Sequence, residues 1–259
     1  MTERSLLKSL TKPTQGSRPA FLLAGLGGQV LTFRPLAQRL APKCHLTGVL
    51  YPVHAGGSSH CTSISDLAKD MAAPLQDYHD PIILIGYSIG GAVAYQIAQE
   101  RHKHGLATAV ILIDTRLNAL RRKRGRIFLL ARRILVSTPR KLFRLKGTKG
   151  KRDVWTPDDP RLREFVEDSK TAIAAFQPHK SDTIVVLIRT KSYLTWKRWI
   201  RGQYWPSRTH GWSKVVPVVH VVHGPGDHLT IVNEDNRDAL GLALDQALNI
   251  AAEAVSLPS

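Results

Sequence analysis

The sequence lacks the features that mark several classes of protein. It has only two cysteines in 259 residues, Cys44 and Cys61. They are too few for a disulfide framework and lack the spacing of a metal-ligand motif, so we expect two free thiols, no metal and a reducing cytoplasm. No apolar run approaches the ~20 residues of a membrane-spanning helix. The first 19 residues hold no apolar core of a secretory signal, so nothing in them marks the chain for export.

Acidic residues are missing from one long stretch of a chain that is otherwise balanced in charge. The chain has 37 Lys and Arg against 20 Asp and Glu, for a net charge of +17. Residues 116–152, the basic segment, hold fifteen Lys and Arg and no acidic residue. The rest of the chain is almost neutral, so the positive charge indicates an electrostatic role that is confined to this segment. The tryptophans do not interleave with the segment as a platform for single-stranded nucleic acid would require, and we expect no nucleic-acid partner.

Apolar runs that predict strands alternate along the chain with stretches that predict helices. This alternation is typical of an α/β fold with a mostly parallel sheet and helices on both faces. The length favours a single domain over residues 1–259. The predicted strands are residues 20–25, 46–51, 81–87, 109–114, 183–190 and 215–223. The predicted helices are residues 31–41, 64–75, 161–176 and 233–255, with a helix of small residues starting at Ala92.

The interval between the fourth and fifth predicted strands is too long for a simple crossover. It contains the basic segment and ends with the helical pattern of residues 161–176. We predict that residues 116–180 form a basic helical lid inserted over the carboxyl edge of the sheet.

The most informative motif is Gly-x-Ser-x-Gly, at residues 86–90. An unbroken apolar strand precedes it and a helix of small residues follows, which is the context of a nucleophile elbow. Gly86 and Gly90 would allow the strand and the helix to approach closely, while the turn presents the Ser88 hydroxyl at a helix N-terminus. A glycine-rich turn with a bystander serine is the alternative.

Chain order and loop position indicate the partners of this serine. Hydrolases with such an elbow follow the order nucleophile, acid, histidine. His228 lies in a glycine-containing loop after the last predicted strand, with His223 as the nearest rival. Asp114 ends the strand after the elbow, where a carboxylate is costly without a partner. A turn cap is the alternative role for Asp114, and Asp227 is adjacent to His228 and badly placed to bond its ring.

Two backbone N–H groups are candidates for an oxyanion hole. Ile89 follows the predicted nucleophile directly. Leu26 lies in the glycine-rich turn after the first predicted strand, where the backbone can approach a substrate, with Gly27 as the next choice. The same turn does not meet the Gly-x-Gly-x-x-Gly spacing of a dinucleotide site.

Taken together, these motifs resemble the thioesterase domains of nonribosomal peptide and polyketide synthases. The resemblance covers residues 20–248 and rests on residues 24–28 and 33–37, the elbow, the strand end at residues 112–114 and the Gly-Asp-His-x-Thr motif at residues 226–230. It implies an α/β-hydrolase fold with a triad of Ser88, Asp114 and His228. It also implies acyl or peptidyl thioesters on the phosphopantetheine of a carrier protein as substrates, with no cofactor of its own. The basic lid departs from the family pattern.

The sequence leaves several alternatives open. The basic segment could dock an acidic carrier protein, lie on a membrane surface through an amphipathic helix at residues 126–135, or be a solvated face. Release could occur by hydrolysis or by cyclisation. A general carboxylester hydrolase and a non-catalytic binding protein on a hydrolase scaffold are the alternative functions. The short polar N-terminus favours a free-standing protein over a synthase domain.

Overall fold

The computed structural model describes residues 6–58, 60–117, 157–190 and 208–256 of the chain. Within them the strands form one sheet in the order β1-β3-β2-β4-β5-β6-β7. The strands are β1 (Leu7–Ser9), β2 (Arg18–Leu23), β3 (Cys44–Val49), β4 (Ile82–Tyr87), β5 (Thr108–Ile113), β6 (Ile184–Thr190) and β7 (Val219–Gly224). All neighbouring strands run parallel except β1, which pairs antiparallel with β3 at the edge.

Helices connect these strands. They are α1 (Arg34–Leu40), α2 (Ile64–Ala72), α3 (Ile89–Lys103), α4 (Pro160–Ala175) and α5 (Arg237–Ser256). Short 3-10 segments occur at Val30–Phe33, Pro52–Ala55, Ala73–Leu75, Trp212–Lys214 and Glu234–Asn236. A side-chain hydrogen bond caps the N-terminus of two of these helices. Ser63 Oγ accepts from Asp66 N–H at 3.1 Å before α2, and Asp159 Oδ1 accepts from Arg161 N–H at 2.8 Å before α4. Both contacts satisfy a backbone donor that the helix itself cannot pair.

The sheet is the middle of three layers. Alternate residues of β4 show this, since Leu84 packs in the layer of α2, α3 and α4, whereas Ile83 and Ile85 pack in the layer of α1 and α5. Residues 82–85 are all buried because each face of the strand is covered by helices. A central parallel strand therefore reads as a continuous apolar run. The expected α/β architecture, with a mostly parallel sheet between helices, is confirmed.

The predicted elements are confirmed in type, with ends that differ by a few residues. One shift has a clear cause, that of β7, which begins at Val219 although the apolar run starts at Val215. Pro217 lies within that run, and a proline cannot donate to a sheet ladder. The polar N-terminal region does not predict β1, which has only three residues and no buried position.

The predicted lid, residues 116–180, lies only in part within the described residues. Its described part contains α4, which buries Phe165, Val166 and Ala172. The ring of Phe165 lies 5.0 Å from that of Tyr51, between centroids, just after the carboxyl end of β3. Residues 118–156, and with them nearly all of the basic segment, lie outside the described residues.

No helix of the described residues is long and apolar enough to cross a membrane. In the same residues no group of three or more His, Cys, Asp or Glu side chains is arranged to hold a metal ion. Cys44 and Cys61 are both free and buried.

Candidate active site

Ser88 lies in a strained turn between β4 and α3. Its φ of 56° and ψ of −120° lie in a region that residues with a side chain seldom adopt. A Cβ on Gly86 would lie 2.3 Å from Gly91 Cα, and one on Gly90 would lie 2.2 Å from Leu23 O. Both contacts are with backbone atoms, so side chains at these positions would force the strand and the helix apart. The two glycines allow the close approach that the motif predicts.

Gly91 is a third glycine required by this turn, and the motif alone does not predict its role. A Cβ there would lie 2.0 Å from Thr115 Oγ1. The Thr115 hydroxyl donates to the carbonyl of Ser88 at 3.0 Å. The segment that directly follows β5 and contains Asp114 and Thr115 thus stabilises the turn.

The structure brings the three predicted site residues together. Ser88 Oγ lies 3.1 Å from His228 Nε2, and His228 Nδ1 lies 2.9 Å from Asp114 Oδ2. The side chain of Asp114 has no exposed surface, whereas that of His228 is 34% exposed. These distances allow a proton to pass from the serine to an imidazole whose other nitrogen is held by a carboxylate.

His223 and Asp227, the alternatives to His228 and Asp114, lie in different environments. His223 lies on β7 with its side chain exposed. Asp227 Oδ1 accepts hydrogen bonds from the N–H groups of Leu229 and Thr230, at 2.9 and 3.0 Å, and so shapes the loop that carries His228.

The carboxylate of Asp114 is surrounded by donors on both oxygens. Oδ1 accepts from Thr190 N–H at 3.1 Å, Thr190 Oγ1 at 2.7 Å and His210 Nε2 at 3.0 Å. Oδ2 accepts from His228 and from the Arg116 guanidinium at 2.9 Å. Burial by itself raises the pKa of Asp114, but these hydrogen bonds and the Arg116 charge outweigh it and hold the pKa well below its usual range. Asp114 is therefore ionised at neutral pH.

Known families provide a comparison with this geometry. The profile of the thioesterase-domain family matches residues 18–246 of the chain. The chain belongs to the thioesterase-domain family. This membership confirms the predicted family and identifies the protein as a serine hydrolase that acts on thioesters.

Solved structures share the fold of this thioesterase at low sequence identity. The NocB thioesterase domain, in a covalent complex with a fluorophosphonate nocardicin G analogue, is 19% identical with a TM-score of 0.65, over 94% of this chain and 100% of that one. The type II thioesterase BorB of the borrelidin cluster is 17% identical with a TM-score of 0.66, over 94% and 96%. A four-domain nonribosomal peptide synthetase with AMP and glycine is 20% identical with a TM-score of 0.66, over 95% of this chain and 20% of that one. No curated protein sequence matches the chain.

The glycine-rich turn of the thioesterase lies against the elbow. A Cβ on Gly25 would lie 2.9 Å from the Tyr87 ring and 3.4 Å from Ser88 Cβ. Gly28 N–H donates to Gly25 O at 3.0 Å, and Gly27 has a φ of 88°, as in a type II turn. In such a turn the N–H of the second residue, here Leu26, takes no part in the closing hydrogen bond.

Two aromatic contacts hold the loops around the serine. The hydroxyl of Tyr87 donates to the carbonyl of His228, and its ring lies 5.5 Å from the imidazole, between centroids. Burial, with the charges of Asp114 and Asp227, raises the pKa of Tyr87 to about 12, so this hydroxyl keeps its proton. On the other side, the buried Tyr51 hydroxyl donates to Ala24 O at 2.7 Å, directly before the glycine-rich turn.

Arg116, Thr190 and His210 contact the Asp114 carboxylate without being predicted from the sequence. Thr190 ends β6, and His210 lies in the turn before the Trp212–Lys214 segment. Their separations from Asp114 along the chain are 76 and 96 residues. The pairing of β5 with β6 places Thr190 near the end of β5, but neither residue belongs to a recognisable motif.

Proposed function

We propose that the protein releases acyl or peptidyl chains from the phosphopantetheine thioester of a carrier protein, through an acyl ester on Ser88. The observation that carries this proposal is the continuous chain of hydrogen-bond contacts, 3.1 Å from Ser88 to His228 and 2.9 Å from His228 to Asp114, on a strained elbow of a thioesterase-family fold. A binding protein on this scaffold would have no need for all three side chains in this arrangement.

In the first step Ser88 Oγ attacks the thioester carbonyl carbon while its proton passes to His228 Nε2. Asp114, ionised and buried, holds the imidazole through Nδ1 and stabilises its charged form. The carbon–sulfur bond then breaks, and the departing sulfur takes the proton from His228. The products are a free thiol and an acyl ester on Ser88.

In the second step His228 takes a proton from a water molecule, which attacks the acyl ester. The ester bond to Ser88 Oγ breaks, the oxygen regains a proton from His228, and a carboxylic acid leaves. An amine or hydroxyl of the acyl chain that replaced the water would release a ring instead. The N–H groups of Leu26 and Ile89 are the donors we assign to the oxyanion, because the turn that carries Leu26 packs on the elbow and Ile89 opens α3.

Substrates on a carrier are supported by two similar proteins. BorB is a type II thioesterase of a biosynthetic cluster, and the multidomain protein is a nonribosomal peptide synthetase. The basic segment adds a second line of support, since fifteen cationic residues without an acidic one suit an acidic carrier protein.

A thioester and an oxyester with the same acyl chain test which bond the protein cleaves. The protein should cleave acyl-pantetheine thioesters faster than oxyesters with the same acyl chain, and Ser88→Ala should lower kcat by about 10⁴-fold or more. Free thiol release and acid release are followed in parallel. A general carboxylester hydrolase would cleave both substrates with similar rates, and a binding protein would cleave neither.

The dependence of kcat/KM on ionic strength tests whether the basic segment docks an acidic carrier protein. With an acyl chain on an acidic carrier protein, kcat/KM should fall as salt increases from about 0.01 M to about 0.15 M, because the Debye length shortens from about 30 Å to about 8 Å. The same acyl chain on free pantetheine is the matched control and should show a much weaker dependence. Equal salt dependence for both substrates would contradict docking through the basic segment.

A further inference from the structure

Asp114 holds two histidines, one on each oxygen. The proposed mechanism uses His228 on Oδ2 and leaves His210 on Oδ1 without a role. His210 Nε2 lies 3.0 Å from Oδ1, and its side chain is only 1% exposed. A substrate or a solvent molecule therefore has little access to His210, whose Nε2 atom contacts the Asp114 carboxylate.

The backbone around His210 is built to keep this contact. His210 has a φ of 51°, in the left-handed region that favours glycine or asparagine, and Gly211 follows with a φ of 94°. The carbonyl of His210 accepts from Leu117 N–H at 3.1 Å, and Trp212 Nε1 donates to Thr115 O at 2.9 Å. The turn is thus tied to the segment directly after Asp114. A strained residue persists only where its surroundings determine its conformation.

His210 is suited to donate without adding charge. Burial lowers the pKa of His210, the Asp114 carboxylate opposes this, and the Arg116 and Arg189 charges lower the pKa further. The ring is therefore neutral at neutral pH, and because an ionised carboxylate only accepts, the Nε2 atom carries the proton. Such a donor secures Asp114 without placing a second cation beside the imidazolium that forms on His228.

We propose that His210 is a positioning residue for this thioesterase, whose Nε2–H holds Asp114 Oδ1, with Thr190, so that Oδ2 stays directed at His228 during proton transfer. The inference rests on the proposed function, because it takes Asp114 as the acid of the triad. His210 does not touch the reacting atoms and acts through Asp114.

Two variants, His210→Asn and His210→Gln, separate the effect of side-chain length from the effect of backbone conformation. Asparagine suits the left-handed backbone at this position, but its shorter side chain ends well before the place of Nε2. Glutamine carries the same amide group out to that place. Leu40→Ala is the control for stability, since it removes buried apolar contacts at the end of α1, just before the start of β3 and away from Asp114.

The readouts are kcat and KM for an acyl-pantetheine, the rate of Ser88 labelling by a fluorophosphonate, and Tm. Hydrogen-bond partners that orient active-site ligands at metal centres are worth about 10- to 100-fold in activity, and we expect a loss of this size in kcat for His210→Asn. KM should change by less than about twofold, since no substrate contact is removed. Labelling should slow in the same proportion, because it also requires His228 to take the Ser88 proton. His210→Gln should recover most of both rates, and Leu40→Ala should lower Tm with kcat within about twofold of wild type.

Two results would overturn the inference. One is a folded His210→Asn variant with wild-type kcat and labelling rate. The other is a loss of kcat that follows Tm alike in His210→Asn, His210→Gln and Leu40→Ala, which would make the role purely structural. Failure of the proposed function has a different signature, since turnover would then be absent from wild type or would survive in Ser88→Ala, whatever the His210 variants do.

Discussion

At the scale of single residues, the carboxylate of Asp114 concentrates most of the polar contacts of the site. Five donors from four residues contact its two oxygens, although the side chain is fully buried. Burial of an ion is costly unless such contacts replace water. The arrangement keeps the acid ionised and therefore couples the charge of the site to the stability of the fold.

This coupling predicts a loss of stability in acid. The pKa of Asp114 is held below its unfolded value of about 4, so its stabilising contribution is present above that pH and is lost progressively as pH falls below it. Asp114→Asn cannot titrate. The difference in free energy of unfolding between wild type and Asp114→Asn should therefore narrow from about pH 6 to about pH 3, as measured by urea denaturation. A difference that stays constant over this range would contradict the depressed pKa.

The sequence predicts the residues of the site that have a local signature. Ser88 lies in a motif, and Asp114 and His228 follow strands whose carboxyl ends meet at one edge. His210 carries no such signature, because a left-handed histidine in a loop contacts Asp114 only after the whole sheet has formed. The ion pair between Arg116 and Asp114 cannot be predicted from the sequence either, since nothing there distinguishes Arg116 from the other cations of the basic segment.

At the scale of elements, the elbow depends on the distance between β2, β4 and α3. A Cβ on Gly90 would meet the carbonyl oxygens of Leu23 and Ala24 at 2.2 and 2.4 Å. Neither atom can turn away as a flexible side chain could, because both belong to the backbone of β2 and its end.

Gly90→Ala should therefore destabilise the protein by about 2–4 kcal/mol and abolish thioester cleavage. Gly16→Ala is the control, since Gly16 has a φ of 77° but nothing within 4 Å of a new Cβ. It should cost about 1 kcal/mol through backbone strain and leave kcat unchanged. Chemical denaturation and turnover measure both effects. A Gly90→Ala variant as stable and active as Gly16→Ala would contradict the close packing of the elbow.

Elements with strong periodicity are predictable, and their ends are less so. The central strands read as apolar runs because both faces are buried, and Ser63 marks the start of α2 in the sequence and in the structure. The start of β7 follows a local signal, Pro217, whereas the existence of β1 depends on a pairing partner, β3, that is distant in the chain. Such partners are set by tertiary contacts and leave little trace in local composition.

At the scale of the whole molecule, the parallel sheet explains why residues from distant parts of the chain meet. Ser88, Asp114 and the loop of His228 follow the carboxyl ends of β4, β5 and β7, and Thr190 is the last residue of β6. These four strands are consecutive in the sheet. Parallel order brings all four ends to the same edge, and the glycine-rich turn after β2 joins them there. The fold thus brings the proposed nucleophile, base, acid and backbone donors into one small region. The single-domain organisation and the basic lid remain predictions from the sequence.

The most direct test of this account is the identity of the acylated residue. The protein is mixed with an excess of acyl-pantetheine, quenched in acid within the first turnover, and examined by intact mass and peptide mapping. We predict a mass increase equal to the acyl group on the peptide that contains Ser88, and its absence together with the loss of turnover in Ser88→Ala. An adduct on another residue, or turnover that persists in Ser88→Ala, would contradict the account.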